Sequence, residues 1–180
     1  HLGDLSTRIR EVTRLPDGQD QLLRVGWNRT TTEPVEFQAA HSLFEAQVRL
    51  TPDAPATEFG AETVSYRELN ERANRLAHHL RVTTDTDARP AVGIWMERSP
   101  WMVIAVLGVL KAGLPYVPIE ADWPSERVEF VVQDAHISLL LISGQTGEET
   151  RFPCAVLAAD RPIPGPSTDL LVTVRPTDLA

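Results

Sequence analysis

Two periodicities divide the chain. Apolar residues recur at helical spacing between His41 and Leu80, whereas from Ala91 onward short apolar runs alternate with helical stretches. In the first part, His41–Leu50 predicts a helix with Leu43, Phe44, Gln47 and Val48 near one face, ended by Thr51-Pro52. Thr57–Val64 predicts a hairpin turning at Gly60-Ala61. Ser65 and Glu68 have the spacing of a capping box, in which Ser65 accepts from the Glu68 amide and the Glu68 side chain reaches back. In the helix that follows, Leu69, Ala73, Leu76 and Leu80 form one apolar face, opposite Arg67, Glu71, Arg72 and Arg75.

The second part predicts strands at Ala91–Trp95, Tyr116–Ile119 and Ser138–Ile142, with Ala155–Leu157 as a fourth and Leu170–Val174 as a last. Ser99 caps and Pro100 starts a helix that runs through Lys111 and stops at Gly113. Pro124 opens another through Asp134. Strand–helix–strand units with apolar strands imply an α/β fold, a parallel sheet layered with helices. Pro118 lacks an amide proton for the ladder, which places its strand at a sheet margin or makes it short.

Residues 1–40 read as an interdomain linker with one helix, capped by Asp17 and running through Val25, with Leu22 and Leu23 as its apolar contacts. The stretch from Trp27 to Pro34 is polar and extended, and Trp27 is expected to anchor it on a neighbouring surface. Arg161–Ser167 reads as a connector.

Composition narrows the function classes. A chain of 180 residues with 42% hydrophobic content is globular, one domain or part of a larger one. A net charge of −8 argues against nucleic acid, whose phosphates need a basic patch. No apolar run approaches the roughly 18 residues of a membrane span, Trp101–Leu110 being too short. The opening His1–Leu5 lacks the basic and apolar regions of a signal peptide, so a cytoplasmic setting is expected. The single cysteine, Cys154, excludes an internal disulfide and is read as a spectator thiol.

Several residues invite chemistry and have plainer explanations. Ser143–Gly147 could present amides to an anion, but no lysine follows and Glu148-Glu149 would repel phosphate. Lys111, the only lysine, stands in the last turn of its helix, where the helix dipole favours a cation. His78 and His79 are adjacent and diverge, unlike an i, i+4 metal pair. Glu97-Arg98-Ser99 follows a strand end, where binding crevices form, yet reads more simply as a surface ion pair beside a cap. Tyr116 and Trp123 are read as aromatics packed between helix and strand.

Three stretches together resemble the adenylation domains of nonribosomal peptide synthetases, within the adenylate-forming enzymes. Ser42–Gln47 through Thr51–Ala56 resembles the opening segment of those domains. Val64-Ser-Tyr-Arg-Glu-Leu-Asn-Glu-Arg-Ala-Asn-Arg-Leu-Ala77 is similar to their first core motif. Leu110-Lys-Ala-Gly-Leu-Pro-Tyr-Val-Pro-Ile-Glu120 is similar to the second, usually LKAGxAYVPID, and continues through Trp123–Arg127 to Asp134-Ala135. Pro115, Glu120, Ala121 and Trp123 depart from that pattern.

The resemblance implies that residues 41–180 are the N-terminal portion of an adenylation domain and that residues 1–40 link it to an upstream condensation domain. The complete enzyme would activate an amino acid with ATP and Mg²⁺ and load it on the phosphopantetheine thiol of a carrier domain. Ser65, Tyr66, Glu68, Leu69, Leu110, Lys111, Ala112, Gly113, Tyr116, Val117, Pro118 and Arg127 are then scaffold residues, with none catalytic, cofactor-binding or metal-ligating. The phosphate loop, catalytic lysine and specificity pocket of the family lie beyond Ala180, so this stretch alone is expected to be inactive. Two alternatives stay open: a docking module without catalysis, and part of an acyl or aryl ligase of the same superfamily.

Overall fold

The computed structural model describes residues 19–28, 38–85, 88–144, 151–175 and 177–178. Asp17, the expected cap, and the Thr-rich segment up to Pro34 lie outside them. Two compact units separate, residues 1–36 and 37–180.

In the first unit a single helical turn, α1 (Gln19–Gln21), runs into a π-helical turn over Leu22–Gly26. The Trp27 amide closes it by donating to the Leu22 carbonyl at 2.7 Å, and Asn28 Nδ2 donates to the Leu23 carbonyl at 2.6 Å. Leu22 and Leu23 were expected as packing contacts; both are exposed.

The second unit opens with α2 (Ala40–Leu50), then a hairpin of β1 (Pro55–Phe59) and β2 (Glu62–Ser65) turning at Gly60, whose φ of 61° suits a residue without a Cβ. Helix α3 (Tyr66–Thr83) follows directly. Ser65 Oγ accepts from the Glu68 amide at 3.2 Å. The Glu68 side chain does not return to the cap, because Arg72 Nη2 donates to it at 2.5 Å one turn further on.

A four-stranded sheet then assembles in the order β4-β3-β5-β6, all parallel. Its strands are β3 (Ala91–Trp95), β4 (Tyr116–Ile119), β5 (Ile137–Ile142) and β6 (Ala155–Ala158). Pro118 lies in β4 at the sheet margin, where a missing amide proton costs one ladder bond at most. Helix α4 (Pro100–Ala112) joins β3 to β4, and α5 (Ser125–Asp134) joins β4 to β5.

Both faces of the sheet are covered. Val92, Ile94, Leu139 and Leu141 pack under α3 and α4, with Leu69, Leu76, Leu80, Ile104 and Val109. Leu140 and Ile142 point the other way, onto Val128 and Val132 of α5 and Phe152. This alternation is the period-two signature of a strand buried on both sides. Gly93 allows the close packing there, since a Cβ on it would stand 2.7 Å from Leu140 Cδ1.

One expected strand is absent. Leu170–Val174 is extended coil, not strand. Val174 shares a cavity with Tyr116 of the edge strand β4, but the carbonyls just before the segment are taken by side chains. Asn74 Nδ2 donates to the Ser167 carbonyl at 2.8 Å, and His78 Nε2 stands 2.9 Å from the Thr168 carbonyl.

Candidate functional site

The polar residues that come together do so where α2, α3, α4 and the 167–174 coil meet. Each helix contributes by its periodicity. His41 and Glu45 are one turn apart on α2, as are Asn70 and Asn74 on α3. Lys111 comes from the last turn of α4, and Asp169 from the coil.

Lys111 is 1% exposed. Its ammonium ion pairs with the Glu45 carboxylate and stands 3.2 Å from Asp169 Oδ1. Asn70 Nδ2 and Asn74 Nδ2 donate to the same Asp169 oxygen at 3.0 and 2.9 Å. Burial alone would raise the Asp169 carboxyl, but hydrogen bonds from Asn70 and Asn74 and the charge and hydrogen bond of Lys111 together hold it below its ordinary range. Burial likewise holds the His41 imidazole below its usual value, with Glu45 acting against that shift and Lys111 with it. Asn70 Oδ1 and Asn74 Oδ1 are buried without a hydrogen-bond partner.

This arrangement is a structural tie and not a catalyst. Lys111 is buried against two carboxylates, closed off from solvent and from any substrate in it. Its donors are also directed to protein acceptors, so it is not offered to a phosphate. The helix dipole therefore explains only part of Lys111: its burial answers to Glu45 and Asp169, distant in sequence.

The second motif borders this tie. Gly113 ends α4 with a φ of 78°, and a Cβ on it would stand 2.7 Å from Val172 Cγ1 of the coil. Leu110, Gly113, Leu114 and Tyr116 line a cavity of about 230 Å³ with Gln38–His41, Val174 and Asp178. Ala112 is buried beside Lys111, and Val117 and Pro118 continue into the marginal strand β4.

The other expected residues do not join that cluster. Ser65, Tyr66 and Glu68 sit at the start of α3, where Tyr66 stacks obliquely on Phe44 with ring centroids 5.7 Å apart; Leu69 is buried in the core. Arg127 belongs to α5, on the opposite face of the sheet, with its guanidinium 3.8 Å above the Trp123 ring. Trp27, in the other unit, is 67% exposed. Leu43, expected on the inner face of α2, is exposed, because His41 and Glu45 occupy that face.

Glu97 and Arg98 are exposed, and among the described residues they form no ion pair. Cys154 is half-buried, and burial pushes its thiol up, away from the reactive thiolate.

No group of described residues fits a nucleotide with its metal. Of the described part of Ser143–Gly147, the Gly144 amide donates to Asp160 Oδ2 at 2.7 Å. Among the described residues no three His, Cys, Asp or Glu side chains converge on a metal position. No helix among them is long and apolar enough to cross a membrane.

Sequence reasoning missed Glu45, Asn70, Asn74 and Asp169. A usable signal existed for the asparagines. Asn70 and Asn74 lie within the arc of Leu69, Ala73 and Ala77, where a buried amide must find partners.

Comparison with known proteins adds the family. The model of the AMP-binding enzymes matches residues 44–177. Tyrocidine synthase 3 of Brevibacillus parabrevis is 38% identical over 180 residues, which are 96% of this chain and 3% of that protein. Gramicidin S synthase 2 of Aneurinibacillus migulanus is 33% identical over 181 residues, 99% of this chain and 4% of that protein. The chain thus spans only a few per cent of the length of these relatives. Among solved structures, the nonribosomal peptide synthetase FmoA3 bound to α-methyl-L-serine-AMP superposes with a TM-score of 0.73 at 31% identity, over 82% of this chain and 17% of that one. The N-terminal subdomain of Klebsiella oxytoca NpsA superposes with a TM-score of 0.60 at 27% identity, over 68% of this chain and 32% of that one.

Proposed function

The chain belongs to the AMP-binding enzymes, as an N-terminal stretch of a nonribosomal peptide synthetase adenylation domain, and we propose that it serves the complete protein as scaffold. The complete domain joins an amino acid to ATP, releases pyrophosphate and passes the aminoacyl group to a carrier-bound phosphopantetheine thiol. The likeness to FmoA3, solved with an amino-acyl adenylate, carries this reading. It exceeds the likeness to NpsA, whose complexes hold aryl groups and whose identity is 25–27%, and so supports the amino-acid-activating branch over the aryl one.

Ser65, Leu69, Leu110, Lys111, Ala112 and Gly113 act in this reading by fixing helices α3 and α4 and the coil that crosses them. ATP and Mg²⁺ are held in this reading by residues of the complete enzyme outside those described, since the described residues assemble no phosphate cradle. Amino-acid-dependent ATP–pyrophosphate exchange tests the reading. The complete protein is expected to exchange and the 180-residue chain alone to show none. Exchange by the isolated chain would overturn its role as scaffold; no exchange by the complete protein with any amino acid would overturn the activity.

The linker supports a second role. Trp27, Leu22 and Val25 are exposed together in the first unit, 67%, 46% and 48%. We propose that they dock on an upstream condensation domain, burying apolar surface that the unit leaves in water. Trp27→Ala is expected to weaken association with that domain by about tenfold or more, the effect of deleting an aromatic anchor. Unchanged affinity in a pull-down titration would remove Trp27 from the contact.

A further inference from the structure

A second cluster of charged side chains lies away from the Lys111 tie. Helix α3 presents Arg72, Arg75 and Leu76 at spacings of three and four, and α4 presents Trp101 and Ile104 in the same way. With Ala159, Arg161, Pro162 and Ile163, which follow β6, they enclose a cavity of about 130 Å³. Three arginines thus line one small space, and among the described residues no carboxylate lines it.

The three are not equally satisfied. Arg75 pairs with Glu71 at 3.3 Å. Arg72 is hydrogen-bonded through Nη2 to Glu68, and its guanidinium lies 4.8 Å above the Trp101 ring. Arg72 Nη1 is buried and has no hydrogen-bond acceptor, the Glu62 carboxylate standing 3.8 Å away. Arg161 is exposed at the rim and forms no ion pair among the described residues. Arg161 thus offers a guanidinium fork that no carboxylate among the described residues occupies.

We propose that this cavity binds a small carboxylate with a compact apolar body. The charge fits a monoanion: carboxylates already offset Arg72 and Arg75 from outside the cavity, which leaves Arg161 uncompensated. The lining fits an apolar body, since Leu76, Ile104, Ala159 and Ile163 form most of the remaining wall. A carboxylate also leaves water at lower cost than a doubly charged phosphate, and it accepts two parallel bonds from a guanidinium. In a chain of net charge −8 such an anion gains nothing from long-range attraction, so recognition rests on these contacts.

Titration of the isotope-labelled 180-residue chain with isovalerate, followed by NMR, tests the site. Wild type is expected to saturate with a dissociation constant on the order of 1 mM, with the Trp101 indole signal among those that move. Arg161→Gln, at an exposed position that spares the fold, is expected to weaken binding by about tenfold, the loss of one bond to a charged group. Arg98→Gln, on an exposed arginine elsewhere, is expected to leave it unchanged. Shifts that grow linearly without saturation, equal affinity in Arg161→Gln and wild type, or equal binding of inorganic phosphate would each overturn the proposal. The first two mean no site, and the third means anions gathering on arginines without regard to the apolar wall. None of these results bears on pyrophosphate exchange, so this site and the scaffold reading stand or fall separately.

Discussion

The two faces of the sheet are covered by different means. Under α5, Leu140, Ile142, Val128, Val132 and Phe152 make an apolar layer, and the ion pairs there are peripheral: Arg151 reaches Glu126 at 3.0 Å and Glu129 at 3.4 Å. Under α3 and α4 an apolar layer of the same kind is accompanied by the buried tie of Lys111 with Glu45, Asp169, Asn70 and Asn74. Burying ions is expensive, and an apolar replacement of equal volume is often as stable. The α5 face demonstrates that this sheet needs no such centre to be covered. What differs on the other face is the 167–174 coil, which has no strand ladder to fix it. The comparison therefore teaches that the charges hold a coil in register, while the apolar residues hold the sheet.

The largest effect should come from the tie itself. Lys111→Met keeps the length of the side chain and removes its charge, leaving Glu45 and Asp169 facing each other without a cation. A loss of about 3–5 kcal/mol is expected from urea unfolding, the usual cost of breaking one side of a buried pair. A loss under about 1 kcal/mol would place the pair with exposed ones and erase the contrast between the faces.

Acid should act on the same face and for the same reason. A carboxyl held below its unfolded value contributes stability above that value and loses it as pH falls through the folded one. Asp169 therefore supports the fold at neutral pH and loses that contribution as pH falls from its ordinary 3.8 through its lower folded value. His41, also held low, acts with the same sign but earlier: its contribution is full above 6.5 and fades below that. Stability is thus expected to fall in two stages on acidification. Asp169→Asn should cost about 1–3 kcal/mol at neutral pH, since Lys111 and the asparagines lose a charged acceptor. It should also flatten the lower stage. A lower stage as steep in Asp169→Asn as in wild type would assign the acid sensitivity to other carboxylates.

What the sequence made legible follows the same division. Short apolar runs and a helix stop at Gly113 are local, so the strands, α4 and the marginal place of Pro118 could be read directly. The motif residues could be placed on elements, and Leu69 put in the core, from spacing alone. The tie could not, because Lys111 finds Asp169 at a separation of 58 residues and Glu45 at 66. Nothing local distinguishes such a lysine from one that simply answers the helix dipole. Leu170–Val174 has the alternation of a strand, with Leu171 out and Leu170 and Val172 inward, yet alternation shows only that one side is buried. Whether a ladder forms depends on a free sheet edge, and here Asn74 and His78 take the neighbouring carbonyls instead.

The smallest effect should come from the α5 face, and its size is what makes the contrast quantitative. Arg151→Ala removes the cation facing Glu126 and Glu129, both on the exposed side of the helix. Water and salt screen such pairs, and holding long side chains together costs entropy, so a loss of about 0.2–1 kcal/mol is expected. The loss should shrink further at about 1 M salt, where the Debye length falls to roughly 3 Å. The Lys111→Met loss should persist there in larger part, because Lys111 is 1% exposed and Glu45 14%, although Asp169, at 41%, is open to mobile ions. Urea unfolding of both variants at low and high salt gives the four numbers needed. If salt reduced both losses alike, Lys111 would be reached by solvent as Arg151 is, and the two faces would differ in composition but not in kind.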